Sequence, residues 1–202
     1  MNYSFPRPLL EIVAGPNGSG KSTFAESYLV RIMKRTSYLN PDIIAAGLAP
    51  RDAQSASFQA GRIFLTEIKS RILNKEELGF ETTLSGLTYI KTLKAARKNG
   101  YLIRIYFVFT DDPKTNIKRI KKRVQMGGHH ISNRDVLRRY KRSFVNFWNE
   151  YRGLADDWVL FDNSGSRPVL ISSKERFDEL DTTGKAAFEK SFLRGRVVYA
   201  QS

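Results

Sequence analysis

The fold is decided by one short stretch, Gly15-Pro16-Asn17-Gly18-Ser19-Gly20-Lys21-Ser22, which has the spacing G-x-x-x-x-G-K-S. A chain with this spacing forms a loop whose backbone N–H groups turn inward around a phosphate group. Glycine is needed where the backbone takes a positive φ or where a phosphate comes close, because glycine carries no Cβ. The stretch, extended by Thr23, therefore predicts a site for the phosphates of a nucleotide.

The residues on both sides of the loop complete a strand–loop–helix unit. A short apolar run precedes the loop and is typical of a buried parallel strand over 9–15. Apolar residues at helical spacing follow the loop and predict a helix over 21–34. In such a unit Lys21 places its charge on the β- and γ-phosphates, and Ser22 offers its hydroxyl to Mg²⁺. We therefore expect ATP or GTP, with Mg²⁺, as the cofactors.

Composition restricts the class of protein. The 202 residues suit a single α/β domain, and a hydrophobic content of 41% is sufficient for a buried core. The chain has no cysteine, which excludes disulfides, cysteine nucleophiles and thiolate metal sites. It shows no signal-like N-terminus and no apolar run of membrane-spanning length, so we expect a cytoplasmic protein without a membrane partner.

Charge is the second informative property of the chain. Lys and Arg number 34 while Asp and Glu number 20, and the net charge of +14 favours polyanionic partners such as nucleotides, nucleic acid or an acidic protein. The basic residues concentrate between Lys114 and Arg142. A solvated helix face usually mixes positive and negative side chains, and this segment hardly does so.

Strand patterns alternate with helix patterns along the chain. The predicted strands lie at 9–15, 37–39, 79–84, 101–109 and 158–161, with 168–172 as a hairpin partner. The predicted helices lie at 21–34, 57–73, 89–98, 113–125 and from 133 or 134 to 151. This alternation favours an α/β fold with a parallel sheet, helices on both of its faces and ligands at the carboxyl edge of the strands.

A basic helix–Gly-Gly–helix segment follows the fourth strand, where nucleotide-dependent kinases commonly carry a lid. We predict residues 113–142 as a lid-like helical insert within a single domain over 1–202, with 175–202 as a C-terminal extension. In a closing lid, one or two arginines would reach the γ-phosphate, while the alternative is an exposed pair of basic helices. The arginines that flank the glycine break are Arg119, Arg123, Arg134, Arg138 and Arg139.

Two carboxylates fall where strands are predicted to end, at the edge that carries the phosphate loop. Asp42 can act as a base or orienting group for an acceptor hydroxyl, or it can cap a helix after Pro41. Glu81 lies in a predicted buried strand, where a lone charged carboxylate is costly. It can hold a Mg²⁺-bound water or a substrate hydroxyl, or it can pair with a core arginine.

Two further features carry less information. His129 and His130 are adjacent, so they do not easily share one metal ion, and no cysteine or carboxylate cluster accompanies them. Asp111 follows the fourth strand, where many NTPases have a metal-coordinating aspartate. The Asp112-Pro113 pair that comes next is at least as consistent with a helix cap.

Six motifs occur in one order over residues 10–165. They are Gly15–Ser22, Asn40-Pro41-Asp42, Phe80-Glu81-Thr82-Thr83, the segment from Arg123 through Gly127-Gly128-His129 to Ile131, Arg138-Arg139-Tyr140, and Phe161-Asp162-Asn163-Ser164. Taken together, these motifs resemble the zeta toxin family, and most closely its compact bacterial branch. The resemblance implies a P-loop kinase fold and an ATP- or GTP-dependent kinase. Zeta toxins phosphorylate a sugar hydroxyl of UDP-N-acetylglucosamine and related UDP-sugars, and a small antitoxin often covers their nucleotide site.

The resemblance also implies roles on the nucleotide side of the site. Lys21 and Ser22 resemble the residues that bind the nucleotide and Mg²⁺. Asn163 lies in the segment that resembles the strand end near the nucleotide base.

On the acceptor side, Asp42 resembles the base that activates the acceptor hydroxyl, and Glu81 and Thr83 resemble acceptor-site residues. Arg123 and Arg138 resemble the lid arginines. Less close matches come from Arg119, Arg134 and Arg139, of which Arg119 and Arg134 are expected to bind the substrate.

Two other functions stay open on the sequence. The charge of +14 suits a nucleic-acid-associated NTPase or a polynucleotide kinase, although no stacking platform of alternating aromatic and basic residues occurs. A regulatory protein that binds a nucleotide without turnover is the third reading. Measured turnover, and the salt dependence of oligonucleotide binding, distinguish the three.

Overall fold

A six-stranded sheet forms the centre of the computed structural model, which describes residues 7–32, 38–49, 55–128 and 130–174. Its strands are β1 (Leu9–Ala14), β2 (Tyr38–Leu39), β3 (Leu78–Thr82), β4 (Leu102–Phe109), β5 (Asp157–Asp162) and β6 (Val169–Ser173). They lie in the order β2-β3-β1-β4-β5-β6, and all neighbours are parallel except β6, which is antiparallel to β5. The predicted parallel sheet and its final hairpin are therefore confirmed.

Helices connect the parallel strands. The helices of the described residues are α1 (Lys21–Phe24), α2 (Pro41–Leu48), α3 (Ser57–Leu73), α4 (Tyr89–Lys98), α5 (Pro113–Gln125) and α6 (Asn133–Asn146). α1 continues in a wider π-helical segment, Ala25–Ile32, and α6 continues through a π-helical turn, Phe147–Tyr151, and a 3-10 turn, Arg152–Leu154.

The helix α2 is absent from the sequence-based prediction. Asn40 is its N-cap, because the side-chain Oδ1 of Asn40 accepts a hydrogen bond from the backbone N–H of Asp42 at 2.7 Å. Pro41 occupies the first helical position, where a missing N–H leaves no hydrogen bond unmade and the fixed φ suits a helix. Asp42 therefore lies in the first turn of a helix and not at the end of a strand.

Apolar side chains fill both faces of the sheet. On one face, Ile12 and Phe107 belong to a large buried cluster that includes side chains of α3, α4 and α6. On the other face, Val13 and Tyr106 belong to a smaller cluster that includes Phe24 of α1. Successive residues of a strand point to opposite faces, which explains the division. The predicted helices on both faces are confirmed.

The register of the strands brings three segments of chain together at the carboxyl edge of the sheet. Ala14, the last residue of β1, pairs with Thr82 of β3. Leu39 pairs with Phe80, so that Asn40 follows beside Glu81. The phosphate loop, the start of α2 and the end of β3 therefore meet at one edge.

The two helices of the segment predicted as an insert differ in how they are attached. In α6 the side chains of Val136, Tyr140 and Phe144 are buried, and the Tyr140 hydroxyl donates to the backbone carbonyl of Thr110 at 2.6 Å. α6 is therefore packed against the main core. α5 buries few side chains and presents most of its charged ones to solvent.

Some predictions lie outside the described residues. These are the end of the first helix at 33–34, the start of the second strand at 37, His129 and the extension 175–202. Within the ranges that are described, no helix combines the length and the apolar character that crossing a membrane requires.

Candidate active site

The phosphate loop has the geometry that its glycines predict. Gly15, Gly18 and Gly20 have φ values of 139°, 78° and 90°, which side-chain-bearing residues rarely adopt. A Cβ on Gly15 would lie 1.9 Å from the Val108 carbonyl oxygen, and a Cβ on Gly18 would lie 2.6 Å from the Asn116 carbonyl oxygen. The loop is therefore a cradle that only glycine can form, and it fits the phosphates of a nucleotide.

Two amide side chains support the loop from neighbouring elements. The Nδ2 of Asn116 in α5 donates to the backbone carbonyl of Asn17 at 2.7 Å, and the Nδ2 of Asn163 after β5 donates to that of Ser19 at 2.7 Å. Asn163 thus contacts the loop itself, whereas the prediction puts its segment near the nucleotide base. The Oγ of Ser19 is buried and has no hydrogen-bond partner among the described residues.

Lys21 extends over the loop. Its Nζ donates to the backbone carbonyl of Pro16 at 2.7 Å. Desolvation lowers the pKa of Lys21 to about 8, although Glu81 and Asp42 oppose the decrease, and the like charges of Arg123 and Arg139 add to it. Two carboxylates and two arginines therefore lie within electrostatic reach of this ammonium group.

Lys21 lines a cleft of about 510 Å³ that also contains Asp42. A base that acts on a hydroxyl beside the γ-phosphate has to share a cleft with the loop lysine, and Asp42 meets this condition with a solvent-exposed side chain. Other predicted residues that line the cleft are Asn17, Gly18, Gly20, Ser22, Thr23, Glu81, Thr83, Arg119 and Arg123. Gly15, Pro16 and Ser19 complete the loop and do not line the cleft.

Glu81 is 6% exposed and accepts hydrogen bonds from three chain segments. Its Oε1 accepts from the Ser22 hydroxyl at 3.0 Å and from the Nδ2 of Asn40, and its Oε2 accepts from the Tyr38 hydroxyl at 3.5 Å. Desolvation raises the pKa of Glu81 above its ordinary value, although Lys21 and the Ser22 hydrogen bond oppose the rise. Of the alternatives for Glu81, contact with the predicted Mg²⁺-binding hydroxyl is the one the geometry favours, and no core arginine pairs with it among the described residues.

The arginines divide into two groups. Arg119, Arg123 and Arg139 line the cleft, and the Nη1 of Arg139 donates to the Oδ1 of Asn17 at 3.4 Å. Arg134 and Arg138 do not line it. Arg138 forms an ion pair with Asp135 at 2.6 Å on the outer face of α6, with 49% of its side chain exposed. Arg139 therefore lies beside the loop, whereas Arg138, predicted as a lid arginine, lies on the outer face of α6.

The oxygen atoms of this site fit a magnesium ion that is bound together with a nucleotide. Mg²⁺ usually takes one or two protein oxygens and completes its shell with phosphate oxygens and water. Ser22 and Glu81 would hold such an ion beside the cradle. Within the described ranges, no three His, Cys, Asp or Glu side chains cluster as a metal site of their own.

The residues next to these motifs have structural roles. The Oδ1 of Asp112 accepts from the backbone N–H of Lys114 at 2.9 Å, so that Asp112 caps α5. Asp111 does not line the cleft, and its backbone N–H donates to the Ser164 hydroxyl at 2.9 Å. The helix-cap alternative is the one realised here.

Asn40 and Tyr89 belong to the site but are missing from its sequence-based prediction. Asn40 had a readable signal, since Asn followed by Pro is the pattern of an N-cap and a first helical residue. Tyr89 lines the cleft from the first turn of α4. No local pattern distinguishes its ring from a core residue.

Comparison with known proteins supports the fold. Residues 10–147 match the AAA domain family (AAA_33), a span that contains the loop, both carboxylates and the arginines of the cleft. The chain is also 35% identical over 130 residues to an uncharacterized protein of Haemophilus influenzae, an alignment that covers 62% of this chain and 88% of that protein.

Solved structures share the fold at low sequence identity. A chain of the AvrRxo1-ORF1:-ORF2 complex with ATP has a TM-score of 0.69 at 16% identity, over 92% of this chain and 64% of that one. A chain of the PezAT toxin-antitoxin system of Streptococcus pneumoniae has a TM-score of 0.64 at 12% identity, over 95% and 87%. A gluconokinase from Sinorhizobium meliloti has a TM-score of 0.51 at 16% identity, over 96% and 98%. The resemblance predicted from the motifs is thereby confirmed at the level of the fold.

The contact between Asn40 and Glu81 leads to a prediction about stability. Asn40→Asp keeps the N-cap acceptor but places a second carboxylate against Glu81, so we expect a loss of about 1–3 kcal/mol in the free energy of unfolding. Adding Glu81→Gln supplies an amide donor to the new carboxylate and should recover part of the loss. Urea denaturation of the two single variants and the double variant measures this coupling.

Asp112→Asn is the matched control, because it makes the reverse exchange between Asn and Asp at another N-cap, that of α5. Its effect should add to that of Glu81→Gln within about 0.5 kcal/mol. If Asn40→Asp and Glu81→Gln are additive as well, the proposed coupling is wrong.

The lowered pKa of Lys21 leads to a prediction about nucleotide binding. A bound triphosphate favours the charged ammonium and raises its pKa again, so binding near pH 8 should take up about half a proton. Affinity should then fall as the pH rises above 8. Calorimetric titration with ATP at pH 8, in two buffers of different ionisation enthalpy, measures the uptake.

Lys21→Met removes the titrating group and should abolish the proton uptake along with most of the affinity. Binding by the unaltered protein without any uptake at pH 8 would contradict the assignment.

Proposed function

This chain belongs to the AAA domain family, and from that premise we propose that it is a kinase that transfers the γ-phosphoryl group of ATP or GTP to a hydroxyl group. The observation that carries the proposal is the single cleft that Lys21 and Asp42 share. Phosphoryl transfer needs little covalent chemistry from the protein, only positioning and charge stabilisation. A phosphate cradle, a carboxylate and three arginines around one cleft supply these.

On the nucleotide side, the loop N–H groups and Lys21 bind the β- and γ-phosphates. Ser22 and Glu81 would hold a magnesium ion, which would neutralise phosphate charge. Glu81 also fixes the direction of the Ser22 hydroxyl through the hydrogen bond at 3.0 Å. The ATP in the AvrRxo1-ORF1:-ORF2 structure supports ATP as the donor for this fold.

On the acceptor side, Asp42 accepts the hydroxyl proton as the acceptor oxygen bonds to the γ-phosphorus. The bond from that phosphorus to the β–γ bridging oxygen breaks, and the nucleoside diphosphate leaves. Arg123 and Arg139 neutralise the charge on the transferring group. Arg119 lies at the rim, where it donates to the backbone carbonyl of Gly165 at 3.2 Å.

We propose a polar, sugar-like acceptor, in line with the UDP-N-acetyl-sugars that the zeta toxin resemblance implies. Thr83 and Glu81 offer polar atoms, and Tyr89 offers an aromatic ring in the same cleft. Gluconokinase, a protein with this fold, is named for a polyhydroxylated acceptor. A small acidic antitoxin that covers the cleft is the partner we propose, since the PezAT chain comes from a toxin-antitoxin system and this chain carries a charge of +14. We propose the cytoplasm as its location.

A polynucleotide kinase is the second candidate, and the net charge is the observation that favours it. In that case the hydroxyl beside Asp42 belongs to the end of a nucleic acid strand. Transfer to UDP-sugars or, instead, to 5′-hydroxyl oligonucleotides distinguishes the two candidates.

The proposal predicts an added phosphoryl group on one class of acceptor. The protein is incubated with ATP or GTP, Mg²⁺ and, separately, UDP-sugars, sugar acids, nucleosides or 5′-hydroxyl oligonucleotides, and the products are examined by mass spectrometry. Asp42→Asn should slow transfer by about 10²–10⁴-fold, because general base catalysis is lost while the phosphate cradle is intact. Transfer at the original rate in Asp42→Asn would disprove the role of Asp42.

The neighbours Arg138 and Arg139 provide a matched pair of variants. Arg139→Ala should slow transfer at least tenfold, because it removes a charge beside the loop. Arg138→Ala removes the same side chain from an exposed ion pair and should change the rate less than about twofold. The initial rates of nucleoside diphosphate release measure both, and a larger effect in Arg138→Ala would reverse the assignment.

A further inference from the structure

A second concave surface lies outside the active cleft, along the outward face of α5. It encloses about 950 Å³ between α5 and the chain after β5 at Ser164. Four exposed lysines line it, Lys114, Lys118, Lys121 and Lys122. We name this surface the α5 groove. It meets the active cleft at Arg119, which lines both.

The four lysines of the groove are not explained by ion pairing. Among the described residues, none of their side chains forms a salt bridge or a hydrogen bond with another side chain, and no carboxylate lines the groove. An exposed cation elsewhere in the chain does pair, Arg138 with Asp135. The positive charge of the groove is therefore uncompensated within the part of the protein that the structure describes.

The lysines are not explained by helix stability either. Positions 114, 118, 121 and 122 fall on one face of α5, and like charges three or four residues apart destabilise a helix. Lys114 also lies in the first turn, where the helix dipole disfavours a cation. The opposite face of α5 already anchors the helix through Asn116 and Ile120, which are buried. The stripe of lysines is thus a cost to the fold that an external anion would offset.

The chemistry of the groove selects the kind of anion. No aromatic side chain lines it, so it offers no surface on which bases could stack. The one large apolar side chain that lines the groove is the half-buried Ile117, and the exposed Met126 lies beyond the end of α5, so the groove lacks the broad apolar face that a helix on a membrane needs. Lysine ammonium groups are hydrated point charges that suit phosphodiesters without reading sequence.

We propose that the α5 groove binds the phosphodiester backbone of a nucleic acid strand, without sequence preference. Asp42 and Lys21 do not line the groove, so the bound strand lies beside the active cleft and is held independently of the acceptor hydroxyl. The site holds the protein on nucleic acid and goes beyond the proposed transfer reaction. Strand binding in the groove is compatible with a kinase that acts on a small molecule and equally with a kinase that acts on a polynucleotide.

The test is direct binding of a fluorescein-labelled 20-nucleotide single strand to the full chain, followed by anisotropy. Contacts from about four lysines predict a slope of about −3 for log K against log salt concentration. Affinity should then fall on the order of 60-fold between 50 and 200 mM salt. Two strands of equal length and unrelated sequence should bind alike.

The variant K114Q/K118Q/K121Q/K122Q removes the four charges and leaves Arg119 and the active cleft unchanged. It should weaken binding at least tenfold and bring the salt slope to between about −1 and 0. The control K91Q/K94Q/R97Q/K98Q removes the same number of charges from exposed positions on α4. It should change the affinity less than about threefold, because the net charge of the two variants is equal and only the location differs.

Three outcomes would overturn the proposal. The first is no binding by the unaltered protein at 50 mM salt, and the second is an equal loss in the α5 and α4 variants. The third is binding of a polyglutamate peptide or of phosphatidylserine vesicles through the same lysines as tightly as the strand. Asp42→Asn should retain the strand, so a failure of the proposed kinase reaction can be told apart from a failure of this site.

Discussion

A buried carboxylate that three separate segments must satisfy is the constraint on which the site depends. Glu81 is nearly inaccessible to solvent and receives donors from the phosphate loop, from the start of α2 and from β2. A carboxylate buried without such donors is costly, so the three segments are held together by the same requirement. The residue that directs the Ser22 hydroxyl thereby also fixes the first turn of α2, which carries Asp42. Glu81 therefore sets the position of the phosphate loop relative to Asp42.

Most of the fold could be predicted from the sequence, because the strand periodicity, the helix periodicity and the phosphate-loop motif all indicate the same α/β architecture. Alternating strand and helix patterns give the parallel sheet, and the loop spacing gives the position of the nucleotide site. The order of the strands and their register depend on contacts between distant residues, such as Leu39 with Phe80, and no local pattern contains them. The helix α2 was missed for a local reason. Proline disfavours a helical conformation of the residue before it, yet at the first helical position it is compatible with the start of a helix, as at Pro41.

The candidate site could likewise be predicted only in part from the sequence. Residues fixed by the backbone of the loop lie where the motif puts them. The arginines depend on the phase of α6, in which Tyr140 and Phe144 face the core. That phase turns Arg139 toward the loop and leaves Arg138 to pair with Asp135 outside. One residue of helix rotation therefore separates a cleft residue from a surface residue, and a motif that contains both arginines leaves the choice to packing.

The lysines and arginines that line the two concave surfaces beside α5 differ in what they can bind. Three arginines line the cleft, Arg119, Arg123 and Arg139, where a planar guanidinium can bind phosphate oxygens in a defined geometry. Four lysines line the α5 groove, where a hydrated ammonium attracts anions without fixing their orientation, and Arg119 lines both surfaces. No lysine of the groove lines the cleft. This arrangement supports two anionic ligands, one positioned for reaction and the other only held.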